Sequence, residues 1–104
     1  MVYLMIINQV RPGKTREYRE VNAQGMRIWQ KHGCKIVGVW DNWIGGNGFE
    51  IITLFEFKNF AEYEEQDNKV HSDPEWPDFV RKIGEVSMGR TTRLLRPTEH
   101  SPMG

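Results

Sequence analysis

Between Lys35 and Phe57 the chain reads KIVGVWDNWIGGNGFEIITLFEF, and this stretch decides the fold. Two apolar, β-branched and aromatic runs, Lys35 to Ile44 and Phe49 to Phe57, flank Gly45-Gly46-Asn47-Gly48. Those four residues supply the positive φ angles that a hairpin demands, so the runs read as paired antiparallel strands. Neither run alternates apolar with polar. Ile36 and Trp40 oppose Val37, Val39 and Trp43, while Ile51, Phe55 and Phe57 oppose Ile52 and Leu54. A sheet with one wet face would alternate, so both faces of this hairpin expect cover.

Upstream, Val2 to Val10 opens with six apolar residues and reads as a strand ended by Pro12-Gly13. It lacks the basic n-region and small-residue cleavage site of a signal peptide. A helix follows over about Lys14 to Lys31, with Tyr18, Val21, Ile28, Trp29 and His32 near one stripe and Gly25 on the same side. Gly25 costs roughly 1 kcal/mol relative to Ala in a helix interior, which close approach to the sheet would offset. Gly33 suits a left-handed cap, and His32 reads as a cap-region residue.

Downstream, Asn59 caps a helix from Phe60, with Glu62 as its capping-box partner. Asp73-Pro74 breaks that helix, and Glu75 to Val86 forms another with Trp76, Phe79, Val80 and Ile83 inward. Gly89 to Pro97 is the last strand. The order β-α-β-β-α-β, its second helix in two pieces, predicts a ferredoxin-like α+β fold: a four-stranded antiparallel sheet with helices on one face. Residues 1–97 form the single domain, and 98–104 are expected to be a poorly ordered tail.

The helices cover only one side of such a sheet. In the first strand Leu4 and Ile6 oppose Tyr3, Met5 and Ile7. Half a dozen large side chains on the second side, each worth ~1.5–3 kcal/mol on burial, would offer roughly 10 kcal/mol to association before its entropic costs. The simplest cover is a second copy, sheet against sheet, in a two-fold dimer.

The remaining composition bounds function by exclusion. The 104 residues carry 14 Lys plus Arg against 14 Asp plus Glu, so no basic excess recommends nucleic acid or an anionic membrane as partner. The third strand is acidic and aliphatic, without the basic-aromatic signature of an RNA-recognition sheet. The one cysteine, Cys34, forms no internal disulfide, and with no apolar run of bilayer length a cytoplasmic location is expected. The glycine cluster joins two strands and is not a phosphate cradle, and no nucleophile elbow is present.

The stretch Leu54-Phe-Glu-Phe-Lys-Asn-Phe60, a polar helix and then Asp73-Pro74-Glu75-Trp76-Pro77-Asp78-Phe79 resembles the NIPSNAP family of small dimeric α+β barrels. Gly33-x-x-x-x-Gly38-x-Trp40 resembles that family's second strand, and Leu94-Leu95-x-Pro97 with Ser101-Pro102 its closing strand and tail. The resemblance spans nearly the whole chain. It implies a homodimeric ferredoxin-like barrel, shared in layout with stress-responsive and monooxygenase-like barrels. No catalytic motif is carried over from it.

Candidate chemistry comes from the residues themselves. His71 follows Asp67 by four positions, on one helix face. A neighbouring carboxylate favours His⁺ or orients a neutral ring as a base; the other reading is a solvated pair near a helix end. Tyr63 or Asn8 would hold a developing oxyanion. Trp40, Trp76 and Phe79 would line an apolar pocket between sheet and helices, or serve simply as core. The polar strand residues of interest are Asn8, Asp41, Asn42, Glu50, Thr53, Glu56, Arg90 and Arg93, with Asn8 and Arg93 as ligand contacts; Glu50, Glu56 and the two arginines alternatively pair across strands or subunits. One or two histidines without cysteine spacing give no metal site, so no metal or cofactor is expected. The expected function is binding of a small organic ligand in that pocket. The alternatives are cofactor-independent oxygenation or isomerisation, and a non-catalytic interaction protein.

Overall fold

The computed structural model describes residues 1–102. Strand β1 (Val2–Val10) leads into helix α1 (Thr15–Lys31), then the hairpin β2 (Lys35–Asp41) and β3 (Glu50–Phe57). Helices α2 (Phe60–His71) and α3 (Trp76–Val86) precede strand β4 (Ser87–Leu95). The sheet runs β2-β3-β1-β4, every neighbouring pair antiparallel, which is the ferredoxin-like α+β arrangement. The last two residues, part of the expected tail, lie outside the described ones. Within the described part, Ser101 donates to the Thr98 carbonyl, closing a turn.

Local chemistry sets the helix ends. Gly33 sits at φ +85°, the Gly33 amide donates to Gln30 and the Cys34 amide to Trp29, a Schellman closure of α1. Asn59 Oδ1 accepts from the Glu62 amide at 2.8 Å, and Glu62 Oε2 accepts from the Lys58 amide. Pro77 occupies the first turn of α3, where its missing N–H costs nothing.

One sheet face carries the helices. Leu4, Ile6, Asn8 and Val10 of β1 point into it, with Thr53, Phe55 and Phe57 of β3 beside them. Trp29, Trp76 and Phe79 stack over these residues, Trp29 lying 4.7 Å from Phe55 between ring centres. A Cβ on Gly25 would stand 2.5 Å from the Phe79 ring, so the glycine does permit close packing, of helix on helix. Gly25→Ala should therefore forfeit its helical gain and lose about 1–2 kcal/mol through overpacking, read from urea unfolding midpoints.

The other face has no helix. Tyr3, Met5 and Ile7 pair there with Glu56, Leu54 and Ile52, and with Leu95, Arg93 and Thr91 on the far side. The expected pattern for β2 needs correction. A register shift between Ile36 and Gly38 inserts a bulge, so Trp40 pairs with Ile52 on the helix-free face and Val39 pairs with Thr53 on the helix face. The strand also ends at Asp41. Asn42 Nδ2 donates to the Gly45 and Asn47 carbonyls and folds the chain into a loop, leaving Trp43 and Ile44 exposed outside the sheet.

Candidate functional site

Strand register builds a small inner cavity under the helices. Asn8 lies opposite Ile51 on one side and Arg90 on the other, and Ile6 opposite Thr53. The period-two pleat thus sends Ile6, Asn8, Thr53 and Arg90 to one face. Asn22, Met26 and Trp29 of α1 close the space from above, with Trp76, Phe79 and Ile83 of α3. About 20 Å³ remains, room for one or two water-sized groups. Asn22 also stands in the wall of a broader outer cleft of about 500 Å³, bounded by Tyr18, Arg19, Val39, Asp41 and Ile51.

The polar groups here sit in apolar surroundings. Asn8 and Thr53 are buried. Tyr18 is 1% exposed, and its hydroxyl has no hydrogen-bond partner of good geometry, although the Asn8 side chain lies alongside. Burial pushes the phenol up to about 12, against weaker opposing pulls from Asn8 and the Arg90 charge. The hydroxyl therefore keeps its proton throughout the physiological range.

The candidate residues divide. Asn8, Trp76 and Phe79 come together around the inner cavity. Trp40 is half-exposed, with its ring against Gly38 on the helix-free side, and it also borders the outer cleft; Arg93 points to the helix-free side opposite Met5. Tyr63, Asp67 and His71 share a face of α2 but do not line the cavity. Tyr63 packs on Phe57 and Phe60, and its phenol is raised by burial, then by the Asp67 charge. His71 Nδ1 is 2.7 Å from the Asp67 carbonyl and must donate to it, which leaves Nε2 as the open nitrogen. The His71 ring packs against Trp76 at 4.8 Å.

Thr53, one of the polar strand residues of interest, does line the inner cavity, whereas Tyr18 was expected only as part of a helical stripe and His32 only as a cap-region residue. His32 does lie at the α1 C-terminus, but Nε2 also donates to Asp73 Oδ2 at 2.7 Å, and Lys31 Nζ reaches the same oxygen at 2.9 Å. Asp73 Oδ1 accepts from the Glu75 amide. That backbone bond first, then Lys31 and His32, hold the Asp73 carboxyl well below the ordinary carboxylate range. The one signal for Tyr18 was a hydroxyl on an otherwise apolar helical stripe.

Cys34 is a buried free thiol, raised to about 12 by burial, which makes it a poor nucleophile. Among the described residues no three His, Cys, Asp or Glu side chains gather as a metal site requires. No helix among them is long and apolar enough to cross a membrane.

An uncharacterized NIPSNAP domain protein from Burkholderia xenovorans superposes with a TM-score of 0.85 at 18% identity, over 98% of this chain and 99% of that one. A NIPSNAP family protein of unknown function from Agrobacterium tumefaciens gives 0.84 at 24% identity, over 100% and 94%. SnoaB, a cofactor-independent oxygenase from Streptomyces nogalater, shares the fold at 0.69 and 11% identity, over 97% and 96%. No curated protein matches the sequence. The NIPSNAP family profile matches residues 3–102, nearly the full length, and the chain belongs to the NIPSNAP family.

Proposed function

We propose that the protein is a homodimeric barrel that binds one small organic ligand per subunit between its helices and its sheet. The observation that carries the ligand reading is the inner cavity, where Asn8 and Thr53 are set among Trp29, Trp76 and Phe79, with the Tyr18 hydroxyl beside Asn8 in the wall of the outer cleft. Apolar walls with a few convergent polar tips are the usual make-up of a small-molecule site. The outer cleft of about 500 Å³ lies in the size range of such sites. Asn8, Trp76 and Phe79 keep their role as ligand contacts.

The dimer reading rests on the helix-free face, where Met5, Ile7, Ile52, Leu54 and Trp40 remain only half-covered. A patch of that kind is unusual on a soluble monomer. With its one cysteine buried and unpaired, the protein suits a reducing compartment such as the cytoplasm. Sedimentation velocity at micromolar concentration should show twice the 12.2 kDa chain mass, and a single species at 12.2 kDa would defeat the dimer. A screen of small aromatic acids, alcohols and amides should raise the melting temperature for at least one class. No shift from any of them leaves the non-catalytic interaction protein as the better account.

A second reading, cofactor-independent oxygenation or isomerisation, draws on the fold shared with SnoaB. In it Asp67 orients His71 as base, from the outer side of Trp76. His71→Ala then costs at least about tenfold in turnover.

A further inference from the structure

We infer that the ligand is a small apolar acid, its anionic head held by Arg90 and Asn8 with the Tyr18 hydroxyl as a further donor; this rests on the proposed ligand-binding reading. Arg90 faces Asn8 directly across the β1–β4 ladder, and its side chain borders the inner cavity. Among the described residues no carboxylate lies within ion-pair distance of it. Arg90 is itself exposed, so its guanidinium meets solvent at the rim of the cavity and would draw an anion there by a charge attraction that salt weakens. Its planar fork matches a carboxylate with two parallel N–H donors.

Tyr18 points the same way independently. A hydroxyl shut from solvent without a partner destabilises the empty protein, and an incoming oxygen would satisfy it. The phenol has its proton to give, and it lies near enough to Arg90 for the guanidinium charge to oppose part of the effect of burial. Asp41 lines the outer cleft together with Arg19 and is not part of the inner cavity's wall. The cavity of about 20 Å³ suits a small polar head group, and Asn22 lines both it and the cleft that would take the body.

The test is calorimetric titration of the full-length protein with 2-naphthoate and its neutral analogue 2-naphthamide, in wild type, Arg90→Met and Tyr18→Phe, at low and moderate salt. The acid should bind wild type at least tenfold more tightly than the amide, and its advantage should shrink with salt. Arg90→Met should erase most of that advantage and leave amide binding within twofold. Tyr18→Phe should weaken the acid severalfold while raising the melting temperature of the free protein, which a hydroxyl retained for structure would not do. Equal binding of acid and amide overturns this inference and leaves ligand binding itself standing; binding of neither overturns both. An acid preference that survives Arg90→Met, or a Tyr18→Phe protein that melts lower, removes the corresponding residue from the assignment.

Discussion

Leu54→Arg should convert a species of twice the chain mass into a 12.2 kDa monomer at micromolar concentration. Leu54 sits in the middle of the helix-free face, opposite Met5 on β1 and Gly38 on β2. In the proposed dimer, two-fold symmetry puts the substitution into the interface twice. Each removes a buried leucine worth ~1.5–3 kcal/mol and sets an unpaired charge in its place at further cost. The combined effect is a weakening of about a thousandfold or more. The side chain lies outside the helix-covered core, so circular dichroism should show the fold retained. Leu54→Ala should weaken association far less. A Leu54→Arg protein that still sediments as a dimer would place the interface elsewhere.

Asp73→Asn should lower the melting temperature by about 10 °C at pH 7, within the range that loss of a few buried polar contacts produces in a domain this size. The carboxylate is fully enclosed and holds Lys31, His32 and the Glu75 amide at once. It thereby ties the end of α1 to the turn between α2 and α3. Asparagine keeps the shape but loses the charge that Lys31 answers. The pH dependence follows from the lowered folded-state value. The unfolded chain takes up the proton near pH 4, before the folded chain does. The stabilisation is then fully present above that pH and is lost as pH falls toward the folded value. The melting temperatures of wild type and Asp73→Asn should therefore draw steadily together as pH falls below about 4. Equal melting at pH 7 would show that the cluster does not stabilise the fold.

The parts of the fold legible in the sequence were those dictated by local chemistry. Gly33 ends α1, Asn59 starts α2, and Asp73-Pro74 breaks the helical run because each residue acts within a few positions of itself. The face of Trp40 was not legible. Period-two counting assumes one residue per pleat, and the bulge in β2 adds one, which turns the indole over. The site was half legible for a related reason. Asn8 stood out as an amide ending an apolar run, and Trp76 and Phe79 as an inward helical stripe. Thr53 and Arg90 join them only through the register of β1 with its two neighbours, which no local pattern encodes. The Asp73 cluster spans 41 residues and was likewise invisible; Asp67 four positions before His71 was the more obvious pair, and the less enclosed one.

The bulge in β2 has a further bearing, on how the sheet stops growing. A border strand that keeps a regular row of amides and carbonyls invites any stray extended peptide to add itself, the first step toward fibrils. In β2 that row is interrupted near Val37, and a bulge at this position twists the rim out of plane. The opposite rim, β4, carries Arg90 and Arg93, whose charges would repel a like neighbour. Straightening β2 by deleting Val37 would thus risk more than a misplaced tryptophan: it would restore an uninterrupted template to a chain whose net charge of zero gives it little other protection from clumping.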